Sequence, residues 1–362
     1  MSQPHAAPPR RRPRSLVRRF GVRLLGAAFV LWAVATVTFF VIRLIPGDPA
    51  AAILGGPGSQ ASEEALAAVR AEYGLDLPIW QQYLIALGRL ATLDLGTSYA
   101  LRQPVAEVIR AQLPGTLLLA LLALVLAWVF AISLALFSTL GAGDPGSGGG
   151  SSARPARRLG RVAAAIGGTI ETVAAALPHF WLAAVLVVVF SSWLRLLPPV
   201  STGDAAGLVL PVLTLAIPVA GFLAQVMRES LLTALSTPFA LSARARGETE
   251  TGLRLRHALR HAAVPGVNLS AWAFGYLVSG AVVVETIFAR PGLGRSLLQA
   301  VTLRDVPLVT GIVLVSALAY IVVTLLADVV SAALDPRLRA PAGAVAANGV
   351  ATERVATDRA TS

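Results

Sequence analysis

Residues Thr237-Pro238-Phe239-Ala240-Leu241-Ser242-Ala243-Arg244-Ala245-Arg246-Gly247, followed by His257-Ala258-Leu259-Arg260-His261-Ala262-Ala263-Val264-Pro265, form a basic stretch lodged between two apolar runs. Ser236 or Thr237 is placed to cap a helix that begins at Pro238, where a missing N–H costs nothing, and Gly247 is placed to close it in the left-handed conformation. A second helix is expected after Thr249, or only after Gly252 because glycine weakens a helix by about 1 kcal/mol relative to alanine. It is expected to end at Pro265, with Arg256 and Arg260 on one face, four residues apart. Such a pair of helices fits either an anionic lipid surface or a docking site for a soluble protein, and spacing alone does not separate the two.

The chain is 56% hydrophobic and only 14% charged over 362 residues, with the apolar residues in long runs. Crossing a hydrocarbon core takes about 20 apolar residues. Six runs qualify, which predicts an all-α integral membrane protein with spans at residues 20–45, 116–140, 170–197, 208–232, 267–287 and 308–334. The formal charge of +11 is distributed by topology, not gathered into a nucleic-acid face. Arginines 10–12, 14, 18 and 19 precede the first span, Arg154, Arg157, Arg158 and Arg161 follow the second, and Arg244 to Arg260 follow the fourth. The positive-inside rule then puts both termini, residues 141–169 and residues 236–266 in the cytoplasm.

The segments left outside are residues 46–115 and 288–307, and the first carries mixed charge, with Glu63, Glu64, Glu72 and Asp94 offsetting Arg70, Arg89 and Arg102. Its helical patterns at Glu63–Tyr73 and Trp80–Leu93 predict a small extracytoplasmic subdomain, in which the ridge of Trp80, Tyr83 and Leu84 holds its own fold. Residues 1–19 form a basic tail whose Pro/Arg-rich start is expected to be disordered. Gly141 to Ser152 reads as a Gly/Ser linker, and residues 335–362 as a cytoplasmic tail.

The chain has no cysteine, which removes disulfides and thiolate metal sites, and all its Lys+Arg residues are arginine. Without lysine there is neither an ordinary phosphate-binding Walker loop nor Schiff-base chemistry. Of four histidines only His179 lies in a span, in Leu177-Pro178-His179-Phe180-Trp181, and neither a Gly-x-Ser-x-Gly elbow nor a His-Glu-x-x-His pair accompanies it. His179 therefore reads as helix-break packing or as a cavity-facing group that touches substrate. Glu285 reads as the partner of a neighbouring arginine or as part of a gate, and Arg228 and Glu229 as interfacial.

These residues, with an ordered set of shorter motifs, resemble the permeases of ATP-binding cassette importers, specifically the first permease type of the dipeptide, oligopeptide and nickel group. The motifs run in the family's order: Pro46-Gly47-Asp48-Pro49, Asp94-Leu95-Gly96-Thr97-Ser98, Leu113-Pro114-Gly115-Thr116, the basic loop, Val284-Glu285-Thr286-Ile287-Phe288, Pro291-Gly292-Leu293-Gly294, Arg304-Asp305-Val306-Pro307 and Leu334-Asp335-Pro336-Arg337. His179 stands where the family has serine in Pro-Ser-Phe-Trp, and His261 where it has asparagine.

The resemblance implies the six-helix fold of type I importer permeases in a bacterial inner membrane, moving peptides or a related solute such as nickel. Its implied partners are a second related permease, two ATPase subunits, an extracytoplasmic solute-binding protein and the lipid bilayer. Coupling to the ATPase falls on Ala243, Arg244, Ala245, Arg246, Gly247, His257, Ala258, Leu259, Arg260 and Pro265, and the translocation path on His179, Gln225 and Asn268. No catalytic group, cofactor, metal or nucleic acid is expected. The rival readings are a channel or secondary transporter independent of an ATPase, and an intramembrane hydrolase built on His179.

Overall fold

The computed structural model describes residues 14–54, 61–140 and 153–334. The Gly/Ser linker, the Pro/Arg-rich start, the Gly-rich residues 55–60 and the tail from Asp335 lie outside the described residues. Those described are mostly helical, with no strand among them.

In chain order the helices are α1 (Arg14–Leu44), α2 (Pro49–Ile53), α3 (Glu63–Tyr73), α4 (Ile79–Ala91), α5 (Val105–Ser138), α6 (Ala153–Ala176) and α7 (His179–Leu186), which runs on as π-helical turns over Val187–Trp193. Then come α8 (Ala206–Leu235), α9 (Pro238–Ala245), α10 (Glu250–Gly252), π-helical turns at Leu253–Ala258, α11 (Leu259–Ile287), α12 (Leu293–Thr302) and α13 (Val306–Leu334). Five helices among the described residues are long and apolar enough to cross a membrane, and a sixth span arises if Arg158–Ala176 and His179–Trp193, bent by 106° at Pro178, are taken together.

The helices outrun the apolar stretches that announce them. α5 starts at Val105, well before Thr116, and its 34 residues give about 51 Å of helix, against a hydrocarbon core of about 30 Å. Hydropathy marks where lipid is, whereas the backbone ladder continues until something stops it, here Pro104 at one end and the turn after Ser138 at the other. For the same reason residues 153–169, expected in the linker, are already part of α6.

The chain divides into two compact units, Met1–Ile109 with Gln299–Ile321, and Arg110–Leu298 with Val322–Ser362. In the second, α8 packs against α6 and α11, with Leu215, Leu223, Met227 and Leu231 fully buried. Small residues permit the close approach: a Cβ on Gly221 would lie 2.7 Å from the Glu171 carbonyl, and one on Gly266 2.6 Å from the Trp128 ring. Membrane helices without a hydrophobic drive to associate gain most from such backbone-close packing.

The first unit is organised by the short motifs. Asp48 caps α2 by accepting from the Ala50 amide at 3.0 Å and pairs with Arg70 of α3 at 2.6 Å. Arg304 donates to the Pro46 carbonyl. Asp305, fully buried, accepts from the Ser98 hydroxyl and the Ala100 amide and also caps α13 at the Leu308 amide, 3.1 Å away. In α4 only Tyr83 of the expected ridge turns inward, its hydroxyl 2.8 Å from Thr36 Oγ1. Trp80 and Leu84 are 60% and 57% exposed, which corrects the reading of all three as internal packing.

Candidate functional site

The basic loop is built as two helices held at a set angle. Pro238 opens α9 behind an extended Thr237, but the Thr237 hydroxyl does not cap it; it donates back to the Ala234 carbonyl at 2.6 Å and closes α8. At the far end the Gly247 amide donates to the Arg244 carbonyl at 2.9 Å and the Glu248 amide to the Ala243 carbonyl at 3.2 Å, while Gly247 sits at φ +84°. That paired pattern is a Schellman motif.

The next helix begins directly at Glu250, with Thr249 Oγ1 accepting from the Gly252 amide at 3.1 Å, so it does not wait for Gly252 to pass. A Cβ on Gly252 would meet the Glu248 carboxylate, the mobile end of a half-exposed side chain that can swing aside. From Glu250 the chain is continuous helix to Ile287, and Pro265 lies inside it. The expected stop at Pro265 is therefore wrong. Proline removes one ladder bond, and membrane helices tolerate this where packing compensates. Here the turn after it sits on α5, with Ser270 Oγ donating to the Gly266 carbonyl at 3.0 Å and accepting from Trp128 Nε1 at 2.9 Å.

The residues expected to couple divide into two groups. Ala243 and Ala258 are buried packing positions, and Arg244 is turned inward, donating through Nε to Glu250 at 2.6 Å and through Nη1 to the Leu235 carbonyl at 3.4 Å. Arg254, almost fully buried, approaches the same carboxylate at 3.8 Å. Ala245, Arg246, Gly247, His257 and Arg260 are exposed, and Leu259 is half-buried. Beside them lie Leu241, 66% exposed, and Leu255, 50% exposed, which the sequence reading did not single out. The exposed residues of the loop thus include two leucines together with arginine and histidine, on a frame braced by Glu250.

Two buried carboxylates tie the bundle. Glu171 of α6 accepts from Ser138 of α5 at 2.7 Å and from Arg228 Nε of α8 at 2.8 Å, so Arg228 is a bundle partner and not an interfacial residue. Glu285 accepts from Thr116 Oγ1 at 2.6 Å and from the Arg295 amide at 3.0 Å, while Thr116 accepts from the Leu293 amide at 2.8 Å. Gly292 leaves room for that carboxylate, which therefore seats the start of α12. Among the described residues no arginine side chain hydrogen-bonds to Glu285: Arg295 reaches the Ala289 carbonyl and Arg290 reaches Ser201.

His179, the first residue after the bend, faces α11. Its ring centroid is 4.9 Å from that of Tyr276, a Cβ on Gly280 would lie 2.7 Å from Cε1, and its Nε2 is buried with no hydrogen-bond partner among the described residues. The rings continue from Tyr276 to Trp272 at 5.4 Å and from Trp272 to Phe222 of α8 at 4.7 Å. Asn268 does not join His179 in one cluster. Asn268 lies twelve residues before Gly280 on the same helix, about 18 Å away along the axis, and accepts from Ser331 of α13 at 2.6 Å. Among the described residues no group of three His, Cys, Asp or Glu could hold a metal ion.

A bundle of membrane-length helices, one of which extends without a break into an exposed, internally braced basic loop, is an arrangement that suits a transport subunit. Comparison with known proteins agrees. Residues 146–340 match the binding-protein-dependent transport system inner membrane component family and residues 14–120 match that family's N-terminal region. The chain is 34% identical over 317 residues to the glutathione transport system permease protein GsiC of Salmonella typhimurium, covering 88% of this chain and 97% of that protein. The Escherichia coli K12 protein of the same name is 33% identical over the same coverage. The chain belongs to the binding-protein-dependent transport system inner membrane component family, and it is a permease subunit of an ATP-binding cassette importer. Such permeases act in the inner membrane with ATPase and solute-binding partners.

Proposed function

We propose that this chain forms half of a translocation path for small peptides, its relatives being named as glutathione permeases and glutathione being a tripeptide, with a second related permease supplying the other half. Two ATPase subunits and one extracytoplasmic binding protein complete the assembly. Both termini and residues 236–266 face the cytoplasm, because the arginine clusters flank those positions. Hydrolysis belongs to the ATPases, since a chain without lysine has no Walker loop.

One observation carries the mechanism: Glu250–Ile287 is a single helix whose first turns belong to the basic loop and whose last turns lie in the bundle. An ATPase that grips the Leu241, Leu255, Arg256 and Arg260 face moves that rod as a body. The rod in turn carries Trp272 and Tyr276 against Phe222 and His179, so the aromatic column lies where alternating access would open and close the path. In this reading His179 is a path-lining group, Gln225 lies further along α8, and Asn268 is a helix-packing residue.

The cysteine-free chain makes the test direct. A cysteine at Arg256, with a second placed in the ATPase groove, should form a disulfide in the assembled importer and lock uptake in one state. Uptake that persists in proteoliposomes lacking any ATPase would instead identify a channel or secondary transporter.

A further inference from the structure

The first unit contains a cleft of about 920 Å³ that no part of the transport reading uses. One wall is a stripe of α1, Ala35, Phe39 and Arg43, spaced four apart so that all three share a face. The opposite walls come from α4, the 94–104 segment and the start of α13. The lining is graded. Its inner part is apolar, from Ala35 and Phe39 to Gly311, and its rim is polar, with Arg43, Arg89 and Tyr99 beside Glu72 and Asp94.

Depth decides what such a cleft meets. Tyr83 of α4 bonds Thr36, which lies eight residues before the end of α1 at Leu44, about 12 Å inside an apolar span. Arg43 Nη2 holds the neighbouring Gln82 at 2.6 Å. α4 therefore lies alongside the last turns of a membrane helix, within one leaflet. It buries no residue of its own, and its outward face presents Ile79, Trp80 and Leu84, the composition of a helix lying in the bilayer interface. Two polar groups of the cleft lack partners: Arg89 makes no hydrogen bond or ion pair among the described residues, and the buried Thr310 hydroxyl has none.

We propose that this cleft is a binding site for one phospholipid, with the phosphate at Arg89 and Arg43 and an acyl chain along Phe39 toward Gly311. A charged rim above an apolar slot, opening at leaflet depth, matches an amphiphile whose phosphate accepts from guanidinium and whose tail needs no polar partner. The site would seal the small subdomain to the first span. Which leaflet supplies the lipid rests on the orientation proposed above, whereas the presence of the lipid does not.

The test uses the purified importer, washed in detergent and measured by native mass spectrometry without ATP or solute, so its outcome is independent of coupling. The wild type should retain a phospholipid on this subunit. Arg89→Ala, at an exposed position, should lower retention about tenfold, as for loss of one charge-assisted hydrogen bond. Ala86→Trp, which fills the cleft, should abolish it. A photo-crosslinking residue at Leu90 should gain the mass of a phospholipid. Equal lipid retention in the wild type and both variants, or capture of peptide or binding protein at Leu90, would overturn the proposal.

Discussion

Arg244 Nε donates to Glu250 Oε1 at 2.6 Å across the Gly247 turn, joining the end of α9 to the start of the next helix. Because Arg244 also reaches the Leu235 carbonyl and Arg254 approaches the same glutamate, one carboxylate sets the geometry of three helical segments. A basic loop of this kind contains two kinds of arginine, those that build the frame and those that face outward.

That division predicts distinct phenotypes. Arg244→Gln should loosen the frame, leaving ATPase subunits bound but hydrolysis poorly stimulated by loaded binding protein. Arg256→Glu with Arg260→Glu should leave the frame intact and reduce ATPase co-purification, increasingly so at low salt, where exposed charges act furthest. Identical co-purification and stimulation profiles for the two variants would mean that burial does not separate their roles.

The Glu171–Arg228 pair gives a stability prediction. Removing Arg228 leaves the fully buried Glu171 carboxylate without its cation, and because the Arg228 side chain is 35% exposed the cost falls below the about 3–5 kcal/mol typical of a fully buried pair. Arg228→Ala should accordingly lower the thermal midpoint of the detergent-solubilised subunit. Adding Glu171→Gln, which keeps an acceptor for Ser138, should recover part of the loss. A double variant less stable than Arg228→Ala would contradict the pairing.

Some of this architecture was legible and some was not, for physical reasons. Apolar runs long enough to span report burial in lipid directly, and Pro238 and Gly247 act through their own backbone limits, so both were readable from one segment. Pro178 and Pro265 look alike in sequence but differ in outcome. The first heads a segment bent by 106° with an extended backbone, whereas the second is held in helix beside the Gly266–Trp128 contact. Glu171 and Arg228 are 57 residues apart, and nothing local distinguishes a bundle partner from an interfacial arginine. The four-residue spacing of Trp272 and Tyr276 was the available hint of the aromatic column, but Phe222 and His179 join it from other helices.

Asp48 supplies a pH dependence. Burial opposes its ionisation, but the Arg70 hydrogen bond, the Ala50 amide and the charges of Arg70 and Arg304 prevail and hold its carboxyl below its ordinary value. A carboxylate with a depressed folded pKa stabilises fully above its unfolded value of about 3.9 and loses that contribution as pH falls through the lower folded value. Asp48→Asn should thus be less stable than wild type at pH 7, with the difference shrinking below about pH 4. A thermal-midpoint gap that stays constant down to that range would exclude the ion pair as its source.

Gly247 gives the sharpest test of the coupling loop. At φ +84° it occupies the left-handed region, yet a Cβ there would meet nothing within 4 Å, so the demand is conformational and not steric. Asparagine tolerates that region and a β-branched residue resists it. Gly247→Asn should therefore retain coupled hydrolysis, while Gly247→Val should break the Schellman bonds at Arg244 and Ala243 and turn the Leu255 face away from its partner. The purified valine variant should either lose ATPase subunits or keep them with hydrolysis no longer stimulated by loaded binding protein. If the loop only rests on lipid, both variants would insert, assemble and respond to substrate as wild type, and the assignment of residues 236–266 to coupling would fall.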